Sequence, residues 1–205
     1  MKLGALGRAA RRKQLIDVAI KIFAKKGYSA ASVRDIAKGA RVARGTFYLH
    51  FKDKADILTA VLENYRMELE FVVKFYMTRT GRMTVAGCRA WLREDVGTWL
   101  AFFEEHREAL KIILFERDCI DAKFERKRNE LREMLNWHLT SKFRRMQKAG
   151  KIRGDVSPEA LCIFEMALLN EVFTTQILPN KDPDVEALVE QWAAFEWRGV
   201  RRGRA

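Results

Sequence analysis

The stretch RVARGTFYLHFKDKADIL, residues 41–58, concentrates side chains that can hydrogen-bond to base edges and phosphates at helical spacing. An arginine fork matches the acceptors of a guanine edge, and a threonine can bond to a base or phosphate while its methyl group touches thymine. Arg44 and Thr46 are residues of these types, and Gly45 between them lets the backbone approach a groove. The side chains that follow suit contacts to the sugar-phosphate backbone, namely Tyr48, His50, Lys52 and Lys54.

Basic charge is concentrated in the N-terminal quarter of the chain. The 205 residues have a formal net charge of +12, yet residues 1–56 alone hold fourteen Lys and Arg against four Asp. Residues 57–205 are nearly balanced, with twenty-five basic and twenty-three acidic residues. This asymmetry favours a polyanion-binding module attached to a neutral body, and nucleic acid is the commonest polyanion partner. A solvated basic face explains the charge equally well by itself, just as Tyr48 and His50 alone suit the edge of a core.

Hydrophobic periodicity and capping signals predict short helices around this stretch. Apolar residues at helical spacing predict a first helix over residues 11–26. Ser32 is a suitable N-cap for a second helix, with Asp35 three residues further on. A third helix is predicted over residues 43–50, and Asp53 is placed to cap a long fourth helix. Two very short helices joined by a tight turn are typical of a helix-turn-helix.

Two further predictions concern the surroundings of the third helix. Phe47 and Phe51, four positions apart, are expected to point inward and anchor it. Basic residues ahead of the first helix form an arm that either lies along phosphates or a minor groove, or is simply solvated: Arg8, Arg11, Arg12 and Lys13. The basic residues at the other end, Arg198, Arg201, Arg202 and Arg204, lie beyond the ninth predicted helix, where a DNA contact is not expected.

The remaining residues predict a helical body, so the chain as a whole is expected to be all-α. Residues 1–56 are predicted to form a three-helix DNA-binding domain, joined by the long fourth helix to a larger helical domain over residues 57–205. The fourth helix is expected to enter that domain with Leu69, Phe71 and Phe75. A helix from Pro158 to about residue 177 is apolar almost all round, which predicts cover from its own domain and from a symmetry mate.

Candidate ligand contacts lie in the larger domain. Glu165 falls in an otherwise apolar sector of the helix from Pro158 that includes Leu169, and a buried carboxylate needs a partner. A cationic ligand would provide one, with Trp99, Phe103 and Trp137 as aromatic lining. The alternatives are an ion pair of Glu165 with an arginine of the same body or across a dimer, and ordinary core packing of the aromatic residues. Asn170 and Thr174 are a second candidate polar pair.

The run SVRDIAKGARVARGTFYLHFKDKADIL resembles the DNA-binding domain of the tetracycline-repressor (TetR) family of bacterial regulators. The resemblance implies base contacts from Arg44, Gly45 and Thr46, and phosphate contacts from Ser32, Tyr48, His50 and Lys54. It also implies a ligand cavity in the larger domain and dimerisation through the last two helices. Two positions depart from the family pattern: Arg41 stands where glycine is usual in the turn, and Ala43 replaces the usual hydroxyl N-cap.

The resulting hypothesis is a homodimeric DNA-binding transcriptional regulator. We expect a repressor that is released from a palindromic double-stranded operator by a small-molecule effector, hydrophobic or cationic. The alternative is a DNA-binding dimer without such a ligand, controlled by a protein partner or by its abundance. An enzyme is not expected, because His50, His106 and His138 lack metal-ligand spacing and no nucleophile has an evident base.

Targeting and cysteine usage give two last expectations. Residues 1–13 carry no sustained apolar core of the kind that a secretory signal needs, and no later apolar run is expected to approach about eighteen residues. We therefore expect a cytoplasmic protein without a membrane segment. We also expect neither a metal nor a cofactor. The three cysteines, Cys88, Cys119 and Cys162, are expected to be buried thiols.

Overall fold

The computed structural model describes residues 2–80, 87–115, 121–180 and 182–201, and every regular element in these ranges is a helix. The predicted all-α fold is therefore confirmed. The helices are α1 Lys2–Lys26, α2 Val33–Gly39, α3 Arg44–Tyr48, α4 Lys54–Thr80, α5 Cys88–Glu105, α6 Arg107–Phe115, α7 Ala122–Lys148, α8 Pro158–Val172 with a π-helical continuation Phe173–Ile177, and α9 Val185–Val200.

The chain divides into two compact units. One unit comprises Met1–Glu68 and Glu108–Leu131, and the other comprises Leu69–Arg107 and Arg132–Ala205, so α4 and α7 each contribute to both. The functional division at residue 56 remains a prediction. Among the residues named from the sequence, Cys119, Arg202 and Arg204 lie outside the described residues.

The first unit is built around the apolar stripe of α1. Leu15 and Phe23 are completely buried, and α2 packs so closely on α1 that a Cβ at Gly39 would lie 2.8 Å from Val18 Cγ1. Phe47 and Phe51 are also buried, which confirms that they anchor α3.

The first helix is longer than periodicity alone indicated. It begins at Lys2 instead of Arg11, since residues 2–10 contain no proline and are rich in good helix formers. Arg8, Arg11, Arg12 and Lys13 therefore project from α1 itself, and the expected arm ahead of the first helix is wrong as a description of the structure.

The fourth helix begins where its capping signal predicted. The Asp53 side chain accepts a hydrogen bond from the Asp56 N–H at 2.8 Å, and α4 starts at Lys54. Leu69 is buried as expected, but Phe71 and Phe75 are 74% and 49% exposed, because they lie about 200° and 240° around the helix from Leu69.

The second unit has a core shared by four helices and the loop after α7. Trp91 of α5, Phe143 of α7, Leu161 of α8 and Val200 of α9 pack together with Ile152. The helices α5 and α9 approach each other closely, and their exposed edge carries an ion pair between Arg93 and Glu190. Cys162 is a buried thiol, as predicted for it.

The segment Pro158–Ile177 corrects one expectation about apolar runs. It is 20 residues long with a mean hydropathy of 1.3, which is long and apolar enough to cross a membrane. The expectation that no run approaches this length was therefore wrong. However, Glu165 in the middle of the segment is buried against Lys142 of α7, as is typical of a helix that packs within a protein.

Candidate functional site

The helix α3 presents an exposed polar face above an apolar anchor. Phe47 is fully buried and packs against Phe51 with their ring centroids 5.6 Å apart. On the opposite side, Arg44 and Tyr48 are exposed one turn apart. The Arg44 guanidinium donates a hydrogen bond to the Tyr48 hydroxyl at 3.1 Å and lies 5.6 Å from the ring centroid. This contact restricts the arginine fork before any ligand arrives.

Gly45 and Thr46 complete the first turn of α3. Apart from its chain neighbours and the backbone of α3, no atom of the described residues lies within 4 Å of the position that a Cβ on Gly45 would occupy, so this glycine leaves an open approach to the backbone. Thr46 is half-buried, and its N–H donates to the carbonyl of Ala43 at 2.9 Å. Ala43 is the N-cap and makes no side-chain hydrogen bond to the helix. The N–H of Thr46 is thus engaged with the backbone, and the N-cap side chain leaves the N–H groups of Arg44 and Gly45 uncapped.

The turn between α2 and α3 is a Schellman motif with arginine in the glycine position. The Val42 N–H donates to Ala37 O at 3.0 Å, and the Arg41 N–H donates to Lys38 O at 3.1 Å. Arg41 has a φ of 54°, which lies in the left-handed region that side chains disfavour. Arg41 itself therefore occupies the position usual for glycine and tolerates the strain, while keeping an exposed basic side chain beside α3.

Replacing Arg41 with glycine is expected to raise the free energy of unfolding by up to about 1 kcal/mol, because it relieves this strain. If Arg41 also contacts a phosphate, the same change weakens the salt dependence of DNA binding. The negative slope of log affinity against log salt then becomes smaller in magnitude by about 0.9 per protomer. Urea unfolding and salt-dependent DNA binding measure the two effects separately. A variant that is less stable than the wild type would contradict the strain at this position.

The hydroxyl group of Ser32 already makes hydrogen bonds within the protein. Its hydroxyl accepts from the Asp35 N–H at 3.1 Å and donates to Asp35 Oδ2 at 2.7 Å, which forms a capping box. Lys26 donates to the other carboxylate oxygen at 2.8 Å. Hydrogen bonds from Lys26 and Ser32 hold the pKa of Asp35 well below its ordinary value. The phosphate contact expected of Ser32 therefore requires its hydroxyl proton to leave Asp35.

The structure places the ammonium group of Lys54 against backbone carbonyls of the protein, whereas the sequence predicted a phosphate contact. Its ammonium donates to the carbonyls of Tyr28, Ser29 and Ala31 at 2.6, 3.2 and 2.8 Å, and lies 4.3 Å from the Tyr28 ring centroid. Because an ammonium has three N–H donors, all of them are used in holding the loop after α1. Lys52, by contrast, is exposed, and its backbone N–H donates to Asp56 Oδ2 at 3.2 Å.

His50 lies beside basic residues of α1. Arg8 donates to the carbonyl of Leu49 at 3.4 Å, and the guanidinium of Arg12 lies 5.0 Å from the Phe51 ring centroid. Partial burial, followed by the charges of Arg8, Arg12 and Arg11, lowers the pKa of His50 below its ordinary value. His50 is therefore predominantly neutral at neutral pH and would contact a phosphate through one N–H.

The candidate ligand residues of the second unit do not form one site. Trp99 and Phe103 pack together with centroids 6.0 Å apart, and Leu169 is buried, whereas Trp137 is 64% exposed. Of the five predicted residues, only Glu165 lines the cavity of about 480 Å³ between α7, α8 and α9. The prediction that Trp137 lines a pocket with Glu165 is therefore not supported by this cavity.

Glu165 pairs with a lysine of its own unit. Lys142 donates to the two carboxylate oxygens of Glu165 at 2.7 and 2.8 Å and to Asp95 at 3.2 Å, and all three side chains are buried. Burial raises the pKa of Glu165 and of Asp95, while Lys142 opposes this. Sequence reasoning anticipated an ion pair but named an arginine, and it missed Lys142, Asp95 and the buried Glu196 of α9.

The other histidines bind neighbouring backbone. His106 Nδ1 lies 2.9 Å from the carbonyl oxygen of Phe102, and His138 Nδ1 lies 2.7 Å from that of Met134. Asn170 is exposed, and the Thr174 hydroxyl donates to its carbonyl at 2.9 Å. These contacts stay within single helices and assemble no polar site.

The architecture of α2 and α3 defines a helix-turn-helix protein: two short helices, a tight turn and an exposed polar face on the second helix. Residues 15–61 match the family described as "Bacterial regulatory proteins, tetR family". The regulator AcrR of Shigella flexneri is 41% identical over 69 residues, 31% of this chain and 32% of that relative's length. The chain thus matches about a third of that protein, and its residues 15–61 form a domain of the tetR family of bacterial regulatory proteins.

Solved structures with the same fold extend over nearly the whole chain. The fatty acid degradation regulator FadR of Bacillus halodurans superposes with a TM-score of 0.77 and 22% identity, covering 94% of this chain and 97% of that chain. The transcriptional regulator FadR of Bacillus subtilis, solved with stearoyl-CoA, gives a TM-score of 0.72 and 21% identity, with coverage of 89% and 96%. At this identity the likeness establishes the fold alone.

Proposed function

We propose that this protein is a homodimeric transcriptional regulator that binds double-stranded DNA through α3. The observation that carries the proposal is the exposed Arg44 and Tyr48 pair beside the open approach at Gly45, on the second helix of a helix-turn-helix. In such folds the N-terminal residues of this helix contact base edges in the major groove. We assign base contacts to Arg44, Gly45 and Thr46, and phosphate contacts to Tyr48, His50 and Lys52.

Dimerisation through α8 and α9 would cover apolar side chains that these helices expose. Ile163 and Phe164 of α8 and Phe195 of α9 are 66%, 58% and 66% exposed. A two-fold axis would place two copies of α3 in successive major grooves of a near-palindromic site, about 34 Å apart. Acting on DNA, the protein would work in the cytoplasm, most simply as a repressor.

A small-molecule effector is the proposed control. An effector can release DNA only through its different affinities for two conformations of the protein. Such control is supported by a solved structure of the same fold, FadR of Bacillus subtilis, which is described in complex with stearoyl-CoA. The alternative, a DNA-binding dimer without an effector, predicts no ligand-dependent rise in thermal stability across a panel of metabolites and acyl-CoA compounds.

Selection of bound duplexes from fragmented genomic DNA, at two salt concentrations, tests the DNA-binding proposal. Wild-type protein is expected to recover one inverted-repeat site, and a Thr46→Ala, Tyr48→Ala double variant is expected to lose it. Thr175→Ala, an exposed threonine on the π-helical segment, is the control and is expected to behave as wild type. Salt-sensitive, sequence-blind binding that the double variant retains would reduce the basic face to a general polyanion surface.

A further inference from the structure

The basic residues near the start of α1 lack acidic neighbours. Residues 1–13 contain five Lys and Arg and neither Asp nor Glu. Among the residues that the structure describes, no carboxylate forms an ion pair with Arg8, Arg11 or Arg12. Arg8 stands three and four positions before the other two on the same helix, and like charges at these spacings destabilise a helix. The three arginines are therefore unfavourable neighbours in the free protein.

Packing does not explain this part of α1. Residues 7–13 are all exposed, and the buried stripe of the helix begins only at Leu15. At 3.6 residues per turn, residues 7–13 make about two turns that contribute no apolar side chain to the core.

Two of the arginines fold back onto the end of α3. Arg8 donates a hydrogen bond to the carbonyl of Leu49, the residue directly after α3, at 3.4 Å. The guanidinium of Arg12 lies 5.0 Å from the ring centroid of Phe51. The positive charge of α1 is thus held against the helix-turn-helix and continues its exposed polar face.

The third arginine is oriented at the end of α2. Arg11 donates to Gln14 Oε1 at 2.6 Å, and Gln14 in turn donates to the carbonyl of Ala40 at 3.1 Å. Partial burial, followed by the charges of the three arginines, lowers the pKa of His50, so all three guanidinium groups act on the same place. Each guanidinium has five N–H groups, and the contacts described here use one on Arg11 and one on Arg8. Most of the donors are left for a ligand.

We propose that Arg8, Arg11 and Arg12 form a second DNA-binding surface on α1, which contacts phosphates outside the base pairs that α3 reads. The start of a recognition helix meets base edges, so its other end, where Arg8 reaches Leu49, is directed towards the sugar-phosphate backbone at the edge of the groove. Phosphates supply the negative charge that the three arginines lack, in charge-assisted hydrogen bonds that a guanidinium can make in pairs. This inference rests on the proposed function, but the surface can be tested on any duplex.

The contacts with Leu49 and Phe51 suggest one other role, in which the arginines only position α3. The two roles predict different measurements. A phosphate contact releases counterions and carries no sequence information, so its loss weakens binding to every duplex and reduces the salt dependence. A loss of positioning changes the base preference of α3 and leaves the salt dependence of random-duplex binding unchanged.

A triple variant of the full-length protein, Arg8→Gln, Arg11→Gln and Arg12→Gln, tests the surface. Fluorescence anisotropy with a random duplex is expected to show weaker binding at low salt, with the difference from wild type narrowing as salt is raised. The negative slope of log affinity against log salt should be smaller in magnitude by about 2.7 per protomer. The same change is expected on the selected operator, with its base preference unaltered.

Two further variants separate phosphate binding from other effects. Arg126→Gln, Arg132→Gln and Lys148→Gln together remove three charges from exposed positions of α7, and this matched control should retain the wild-type slope. Replacing the three arginines of α1 with lysine keeps their charge and should restore most of the slope, although the paired hydrogen bonds of the guanidinium are lost. Thermal melting establishes that each variant folds.

Methylphosphonate substitution of the selected operator locates the contacts with the wild-type protein itself. Each substitution replaces one charged phosphate with a neutral group. The wild type is expected to lose affinity at phosphates outside the base pairs that show sequence preference. The triple glutamine variant should be indifferent to substitution at those phosphates and should keep the wild-type losses elsewhere.

The outcomes separate this inference from the proposed function. If the triple glutamine variant has the wild-type slope, or changes it no more than the α7 control does, the arginines are a solvated face and the inference fails, while operator selection by α3 still stands. A changed base preference with an unchanged slope means that they position α3, which also overturns it. If no operator is selected, the proposed function fails, but a reduced slope on random duplex still supports a phosphate-binding surface on α1.

Discussion

Replacing Lys142 with methionine is expected to lower the free energy of unfolding by about 3–5 kcal/mol, the usual cost of leaving a buried charge without its partner. The Lys142 side chain is 5% exposed, and its ammonium contacts both Glu165 and Asp95. Burial by itself would lower the pKa of Lys142, but the carboxylates of Asp95, Glu165 and Glu196 raise it above its ordinary value. Lys142 is therefore charged, and methionine removes the cation while keeping much of the volume.

Urea unfolding at a fixed protein concentration measures this loss. Lys148→Met, on an exposed position of the same helix, is the control and should change stability by no more than about 0.5 kcal/mol. Adding Asp95→Asn and Glu165→Gln to Lys142→Met should recover much of the loss, because the remaining groups are then neutral. A Lys142→Met variant as stable as the wild type would show that the cluster is neutral without lysine.

The loss in free energy of unfolding caused by Lys142→Met should also depend on pH. The pKa values of Asp95 and Glu165 are raised in the folded state, so folding takes up protons on these groups. Stability from such a group is greatest below its unfolded pKa and is lost as pH rises toward its folded pKa. Without the lysine these pKa values rise further, and the variant should lose about 1.4 kcal/mol per pH unit for each proton involved. Chemical unfolding from acid to neutral pH measures this slope.

Most of the helices could be predicted from the sequence, because helices are governed by local signals. Ser32 and Asp53 marked two helix starts, and the buried pair Phe47 and Phe51 followed from spacing alone. The contacts of Lys54 could not be predicted in this way. Its three carbonyl acceptors lie 23 to 26 residues earlier in the chain, and only the packing of α4 beside the loop after α1 brings them together.

The buried charge cluster was predicted in part, and the same signal extends further. Glu165 was singled out because it interrupts an apolar sector of α8. Lys142 lies three residues after Leu139 and four before Met146, and Glu196 lies four residues after Trp192, so both also interrupt apolar stripes. Periodicity therefore identifies which polar residues are buried. The choice of partner depends on how α5, α7, α8 and α9 pack, which the sequence pattern does not specify.

Replacing Arg44 with alanine is expected to weaken binding to the selected operator by about 10- to 100-fold, the usual contribution of an arginine fork on a guanine. The expectation depends on the geometry of α3: Arg44 is exposed, stands at the start of the helix, and is oriented by the Tyr48 hydroxyl at 3.1 Å. Tyr48→Phe keeps the ring and removes this hydrogen bond, so its effect should be smaller. Fluorescence anisotropy with the operator and with single-base variants measures both.

The loss of affinity caused by Arg44→Ala, compared across different DNA sequences, shows whether Arg44 contacts a base or a phosphate. A base contact that is removed costs affinity for the operator and relaxes preference at one position in each half-site, while affinity for random duplex barely changes. Lys52→Ala should do the reverse, weakening binding to all duplexes alike and reducing the salt slope by about one per protomer. Arg126→Ala, an exposed arginine of α7, is the control for charge alone. If Arg44→Ala behaves like Lys52→Ala, then Arg44 contacts a phosphate, and sequence must be read by Thr46 and the backbone beside Gly45.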